Sequence, residues 1–410
     1  MNTENNAPKL TVPDGVLRNK LLSTIAYTAR VIALICASGP LMQTFLASLG
    51  FDTDLIYFHS TLLQAANVLT IVLFSQWANT GVPIKRSAFS ILPTGLLFLF
   101  YVPFAIASSA SPTTYVLLAV IGIAQQISIG LFTVCEYKIP YYIYRQDEYG
   151  MILSVCGIVS SLFSLGSSAL ISHFASKIRF TSIMAIAFSI SATLIGIAFV
   201  CIFFEKSLLP KEVAEKPTER KVFTFQALLR YPAFTHLIHA NLMRGFAAGV
   251  ISVLATVALD LGYTESLTAV MVSAQSVASL AAGALFLCTS KRISPQVILI
   301  MGCIMVLTLP ALLISSSFLF LSVFVIITVG RTLIDYSVPT MLLKTVSVEI
   351  AGSYHAWRMV LQNAGTLTAT ALAVALPIPW MLIIASIFQM ISGISFVKIT
   401  KAQNDSYNIS

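Results

Sequence analysis

Charge is what this sequence has least of. Lys, Arg, Asp and Glu together make up 10% of its 410 residues, against 57% hydrophobic, whereas a soluble domain carries roughly 25% charge. That balance, with a mean hydropathy of +0.88, excludes an ordinary soluble domain and puts the chain in a bilayer. Catalytic signatures are also missing. There is no HExxH, GxSxG, acidic pair or His/Cys cluster, so an intramembrane enzyme has little to work with. No GxxxxGK(S/T) loop is present either, so ATP-driven pumping would have to be powered by a partner. The six cysteines (Cys36, Cys135, Cys156, Cys201, Cys288 and Cys303) form no CxxC pair and no metal-ligand spacing. They read as reduced core residues, and neither a metal nor a cofactor is expected.

Long apolar runs fill the space that charge leaves. Twelve stretches meet or approach the roughly 20 residues that a spanning helix needs. They are 22–48, 55–78, 87–107, 114–136, 150–175, 181–204, 233–259, 266–289, 294–315, 318–341, 353–376 and 379–399. About twenty mostly polar residues precede the first run, which is expected to insert uncut. With both termini cytoplasmic, eighteen of the 24 basic residues fall on the inner side, and Lys177 and Arg179 alone lie in outer loops. The positive-inside rule selects that orientation. A cell membrane, of the bacterial inner-membrane kind, is the expected location. The formal charge of +8 is thereby an insertion signal and a contact with anionic lipid, not a nucleic-acid footprint.

The chain also repeats itself. Residues 136–140 read EYKIP and residues 335–339 read DYSVP, about 200 positions apart. Leu49-Gly50-Phe51 and Leu261-Gly262-Tyr263 form a second matched pair, each following an apolar run that carries one arginine. Duplicated halves explain such fixed-period similarity. Between them lies the one composition break, 205–230, which opens with alternating acids and bases around two prolines and reads as a solvated cytoplasmic linker. The expected organisation is a six-helix bundle over 1–204, the linker over 205–230 and a second six-helix bundle over 231–410. The fold class is an all-α membrane protein, twelve transmembrane helices in two pseudo-symmetric bundles.

Two six-span halves joined by a charged linker resemble the major facilitator superfamily. SQWANTGVPIKRS at 75–87 is similar to that family's loop between spans 2 and 3, with Asn79 in place of an aspartate and Lys85-Arg86 keeping the basic end. The segment ending RQDEYG at 145–150 is similar to its connection between spans 4 and 5. The resemblance implies a secondary transporter that works by alternating access, with spans 1, 4, 7 and 10 lining one midplane site.

Four arginines lie inside spans: Arg30, Arg244, Arg331 and Arg358. Each costs roughly 2.5–3.5 kcal/mol at bilayer centre on insertion scales, so each needs protein or water around it. Arg30 lies about 12 Å into span 1 and Arg244 about 15–17 Å into span 7, at matching places in the two halves. Tyr27 and Asn241 precede them by three residues, on nearly the same face. One reading makes the arginines a pair of clamps on a small anion, since guanidinium stays charged and offers a bidentate fork. That resembles organic-phosphate/phosphate antiporters, which also place one arginine on each of spans 1 and 7. Tyr27-x-x-Arg30 fits part of their pattern, and Val31 and Ile32 depart from it. The other reading makes each arginine a structural strut. Gln125 and Gln126, about 17 Å into span 4, complete the candidate substrate site.

Arg331 and Asp335 are four apart on span 10 and can pair along one face. Glu136 is the repeat-mate of Asp335. The two acids are candidates for a cytoplasmic gate that holds Arg358, Lys85 or Arg86 in one state and releases them in the other. The leading function is a secondary or facilitative transporter of a small solute, with a small organic anion favoured, operating as a monomer among membrane lipids. Efflux of hydrophobic or cationic compounds and sugar-type symport are the transport alternatives. An intramembrane enzyme or a sensor is the alternative outside transport.

Overall fold

The computed structural model describes residues 13–36, 40–74, 83–107, 109–136, 138–144, 148–175, 178–207, 232–252, 265–314, 316–345, 348–373 and 376–407, with 254, 257, 258, 261 and 263. It is all-α, with the twelve membrane segments of the expected fold class. In chain order the helices are α1 Pro13–Ile35, α2 Pro40–Leu49, α3 Thr53–Phe74, α4 Pro83–Ala107, α5 Pro112–Glu136, α6 Pro140–Ile143, α7 Tyr149–Ala175 and α8 Phe180–Phe204. They continue as α9 Pro232–Ser252, α10 Glu265–Thr289, α11 Pro295–Val306, α12 Ser317–Thr345, α13 Val348–Ala373 and α14 Ile378–Tyr407, with a 3₁₀ turn at Leu309–Leu313 after α11. Span 1 is α1 followed by α2, and span 9 is α11 followed by the 3₁₀ turn.

Seven of these helices open on proline: Pro13, Pro40, Pro83, Pro112, Pro140, Pro232 and Pro295. Proline suits the first helical position because its missing N–H would find no partner there anyway. This moves two starts from where hydropathy puts them, 22 to Pro13 and 87 to Pro83. The first of the matched Leu-Gly-aromatic triplets closes a helix, α2. Gly50 takes φ 98°, its N–H donates to Ala47 O, and Phe51 N–H reaches back to Leu46 O. That is a Schellman cap, which the absence of a Cβ makes inexpensive. In the second half Tyr263 N–H makes the same reach to Ala258 O.

The chain divides into two compact units. The first holds Met1–Glu148, Ala169–Val222 and Val348–Ala356; the second holds Tyr149–Ser168, Phe223–Ser347 and Trp357–Ser410. In the first, α4 packs on α5 and α8, α1 on α8 and α3 on α5. Phe188 anchors the core, stacked on Tyr101 at 5.0 Å and edge-on to Phe45 at 5.2 Å. In the second, α9 packs on α14, α11 on α12 and α14, and α10 on α12. Here glycines bring backbones together. A Cβ on Gly245 would stand 1.9 Å from Gln362 O, and one on Gly365 would stand 2.1 Å from Leu242 O. The small-residue runs of spans 5 and 8 also meet, with Gly283 against Ile158 and Ser154. Such faces let helices approach closely where lipid supplies no hydrophobic drive.

Candidate functional site

The repeated acid-Tyr strings fold differently. In the first, α5 stops at Glu136, and Lys138-Ile139 form a turn before α6. In the second, Pro339 sits inside α12, which runs on to Thr345. Asp335 therefore lies ten residues short of its helix end, about 15 Å along the axis.

Each acid holds the arginine of its own unit. Arg30 Nη2 pairs with Glu136, and Arg244 Nη2 pairs with Asp335. The sequence offered no acid beside either arginine on spans 1 and 7; both partners come from spans 4 and 10. Long helical side chains point back toward the N-terminus, so Arg30 reaches down α1 to the level where α5 ends. The Arg30 side chain is 10% exposed and Glu136 33%; for Arg244 and Asp335 the values are 8% and 45%. In each pair the cation is the more buried member.

Aromatic faces support the first cation. The Arg30 guanidinium carbon lies 4.4 Å from the Phe132 ring centroid and 5.5 Å from that of Tyr27. Phe132 is four residues before Glu136, so one face of α5 supplies both ring and carboxylate. Arg244 keeps Nη1 without a hydrogen-bond partner among the described residues. Asn241 donates to Leu237 O at 2.8 Å and leaves its own oxygen unpartnered there. Gln125 is fully buried, with neither amide atom bonded among the described residues. Gln126 instead accepts from Asn67 at 3.3 Å.

The expected gate partners are arranged otherwise. Arg331 Nε stands 4.0 Å from Asp335, a loose contact beside the Arg244 pair. Glu136 and Asp335 hold Arg30 and Arg244 here, where Arg358, Lys85 or Arg86 was the expectation. Arg358 is buried on α13. Lys85 and Arg86 lie in the first turn of α4, with the Lys85 ammonium 5.7 Å from the Phe203 ring centroid.

One group went unread in the sequence. Glu205 caps α8 and is buried, although its neighbours Lys206 and Lys211 mark the start of a solvated segment. It accepts a hydrogen bond from Ser23 of α1. Beside it Asn19 clamps the backbone of Lys206, donating to its oxygen at 2.7 Å and accepting from its N–H at 3.1 Å. Burial pushes the Glu205 carboxyl up to about 7; the Ser23 bond opposes this, and the Glu136 charge adds to it. Lys20, the residue after Asn19, pairs with Glu148 at 2.9 Å.

The profile of the Major Facilitator Superfamily matches residues 21–370. The chain belongs to that superfamily. Solved structures agree on the fold. A bacterial homologue of the iron transporter ferroportin, outward-facing, aligns with a TM-score of 0.69 at 13% identity, covering 94% of this chain and 99% of that one. The transporter FucP in its outward conformation aligns at 0.68 and 13% identity, covering 94% and 98%. The human organic anion transporter MFSD10 aligns at 0.66 and 12%, covering 96% and 100%. No curated protein matches the chain in sequence. As a superfamily member the protein is a multi-pass membrane transporter of the secondary type. Its cargo is a small molecule.

Proposed function

We propose that this superfamily member carries a small organic anion by alternating access, its negative charge met by Arg30 and Arg244. The observation that carries this is the matched pair of buried arginines, each paired with a more exposed acid of its own unit. Glu136 and Asp335 keep the guanidinium groups neutralised in the empty protein, and an arriving anion competes with them. Arg244 Nη1 offers the spare donor needed for bidentate capture. Tyr27, Asn241, Gln125 and Gln126 supply neutral contacts, and release of Glu136 or Asp335 is the step that opens the gate. The protein acts as a monomer in a cell membrane with both termini cytoplasmic, and 205–230 links bundles 1–204 and 231–410.

A second reading rests on the same pairs. Because the charges are balanced, a neutral polyhydroxyl solute can bond both members of each pair. A thermal-shift screen of the purified protein separates the two. Phosphate esters, carboxylates, sugars and cationic dyes would each be tested on wild type, Arg30→Ala and Arg244→Ala. At a hundredfold excess over Kd, binding stabilises by about 2.7 kcal/mol. Stabilisation by an anion, lost in both variants, supports the first reading. A response to sugars alone supports the second, and a response to cations that survives both substitutions defeats both.

A further inference from the structure

A groove of about 440 Å³ runs between α4 and α5, walled by Phe89, Pro93, Ala124, Ile127 and Leu131, with Lys85 and Arg86 at one end. It falls within the roughly 300–1,000 Å³ typical of small-molecule sites. Its floor is polar and closed: Ser128 Oγ donates to Ser90 O at 2.5 Å and lies 2.8 Å from Thr94 Oγ1. Pro93 has no N–H to offer the Phe89 carbonyl, and its ring disturbs the preceding turn of α4.

The groove lies on the lipid-facing side of its helices. Phe89, Leu96 and Phe100 along α4, and Val116, Val120 and Ile127 along α5, are all exposed large apolar residues. That stripe belongs against hydrocarbon. Phe132 and Glu136, which serve Arg30, occupy other positions on α5. Lys138, in the turn after α5, is close enough to feel the Arg86 charge: burial, and then that charge, push its ammonium down to about 8. Glu136, the acid that ends α5, is already bound to Arg30.

We propose that this groove is a binding site for one anionic glycerophospholipid, an acyl chain lying along Phe89, Pro93, Ile127 and Leu131 and the phosphate held by Lys85 and Arg86. Charge complementarity selects the occupant. Basic pockets between membrane helices hold anionic head groups, and an apolar slot that opens into the bilayer takes the chain. The site is separate from the solute site and does not depend on the cargo proposed above.

The test uses the full-length protein, delipidated in detergent and titrated with phosphatidylglycerol or phosphatidylcholine of identical chains, with adducts counted by native mass spectrometry. Wild type is expected to retain phosphatidylglycerol preferentially. K85Q/R86Q is expected to lower that preference roughly 30-fold, from two basic groups at the membrane surface. Ala124→Trp, which fills the slot and leaves the charges, is expected to lower retention of both lipids. K291Q/R292Q, removing an exposed basic pair in the turn between α10 and α11, is expected to change nothing, and excess inorganic phosphate should not displace the lipid. Equal retention of the two lipids by wild type would overturn the proposal. So would equal losses in K85Q/R86Q and K291Q/R292Q, full binding by Ala124→Trp, or displacement by phosphate.

Discussion

Glu205 gives the sharpest test of the structure, because a buried carboxyl with a hydroxyl donor makes stability depend on pH in one direction. Its ordinary value is 4.5 and burial raises it to about 7. Below pH 4.5 the group is protonated whether the chain is folded or not, and it contributes nothing to the pH dependence. Between 4.5 and 7 the folded protein binds the proton more tightly, so stability falls as pH rises. Above 7 the folded state holds a buried anion that the unfolded chain would hydrate. Raising the carboxyl from 4.5 to about 7 corresponds to roughly 3 kcal/mol lost across that window. Ser23 faces the carboxyl from α1, Glu136 from α5 and Cys201 from the last turn of α8. Of these only Glu136 brings a charge, and it adds to the penalty. Glu205→Gln keeps the shape and removes the ionisation. The assay is thermal unfolding in detergent from pH 5 to 8.5 for wild type and Glu205→Gln. The variant should gain several degrees on wild type at pH 8 and almost nothing at pH 5. A constant difference between the two proteins across the range, or wild-type stability that climbs with pH, would refute the reasoning.

Three other outcomes are expected. In a double-mutant cycle, Arg30→Gln and Glu136→Gln should each destabilise, Glu136→Gln more because it leaves a buried cation without its carboxylate, and the double variant should cost less than the sum; additive losses in denaturation midpoints would show that the pair is not coupled. Gly50→Ala should cost roughly 1–2 kcal/mol from backbone strain alone, since the new methyl would meet Ala110 Cβ at an ordinary 3.6 Å, and unchanged thermal stability would contradict the Schellman cap. Gly245→Leu should destabilise by more than the 1–3 kcal/mol usual for overpacking, because even a Cβ collides with the Gln362 carbonyl; wild-type unfolding of that variant would rule out the close α9–α13 crossing.

Hydropathy located the membrane helices because each apolar run is long enough to need no tertiary information. Ends were harder. The start of α1 at Pro13 was hidden by the charges of Asp14, Arg18 and Lys20, although proline at a first helical position marks it. The Arg30–Glu136 bond joins residues 106 apart, and no local pattern announces it. The repeat held the clue: arginines and acids recur as matched sets, so a contact in one half implies its counterpart in the other. Glu205 was illegible for a different reason. Its sequence neighbours are charged, and the bonds from Asn19 and Ser23 that draw that stretch inward are long-range. Gln125 stood out as a mid-span amide, but its lack of a described partner is visible only in three dimensions.

The arginine pairs bear on how the transporter responds to voltage. An unbalanced charge that crosses the membrane field changes energy by about 2.3 kcal/mol per 100 mV. While Arg30 stays on Glu136 and Arg244 on Asp335, each couple is a dipole of zero net charge. In the cycle proposed above, a return stroke made with both couples closed would be electrically silent at these groups, whereas a step that releases either acid would separate charge within the field.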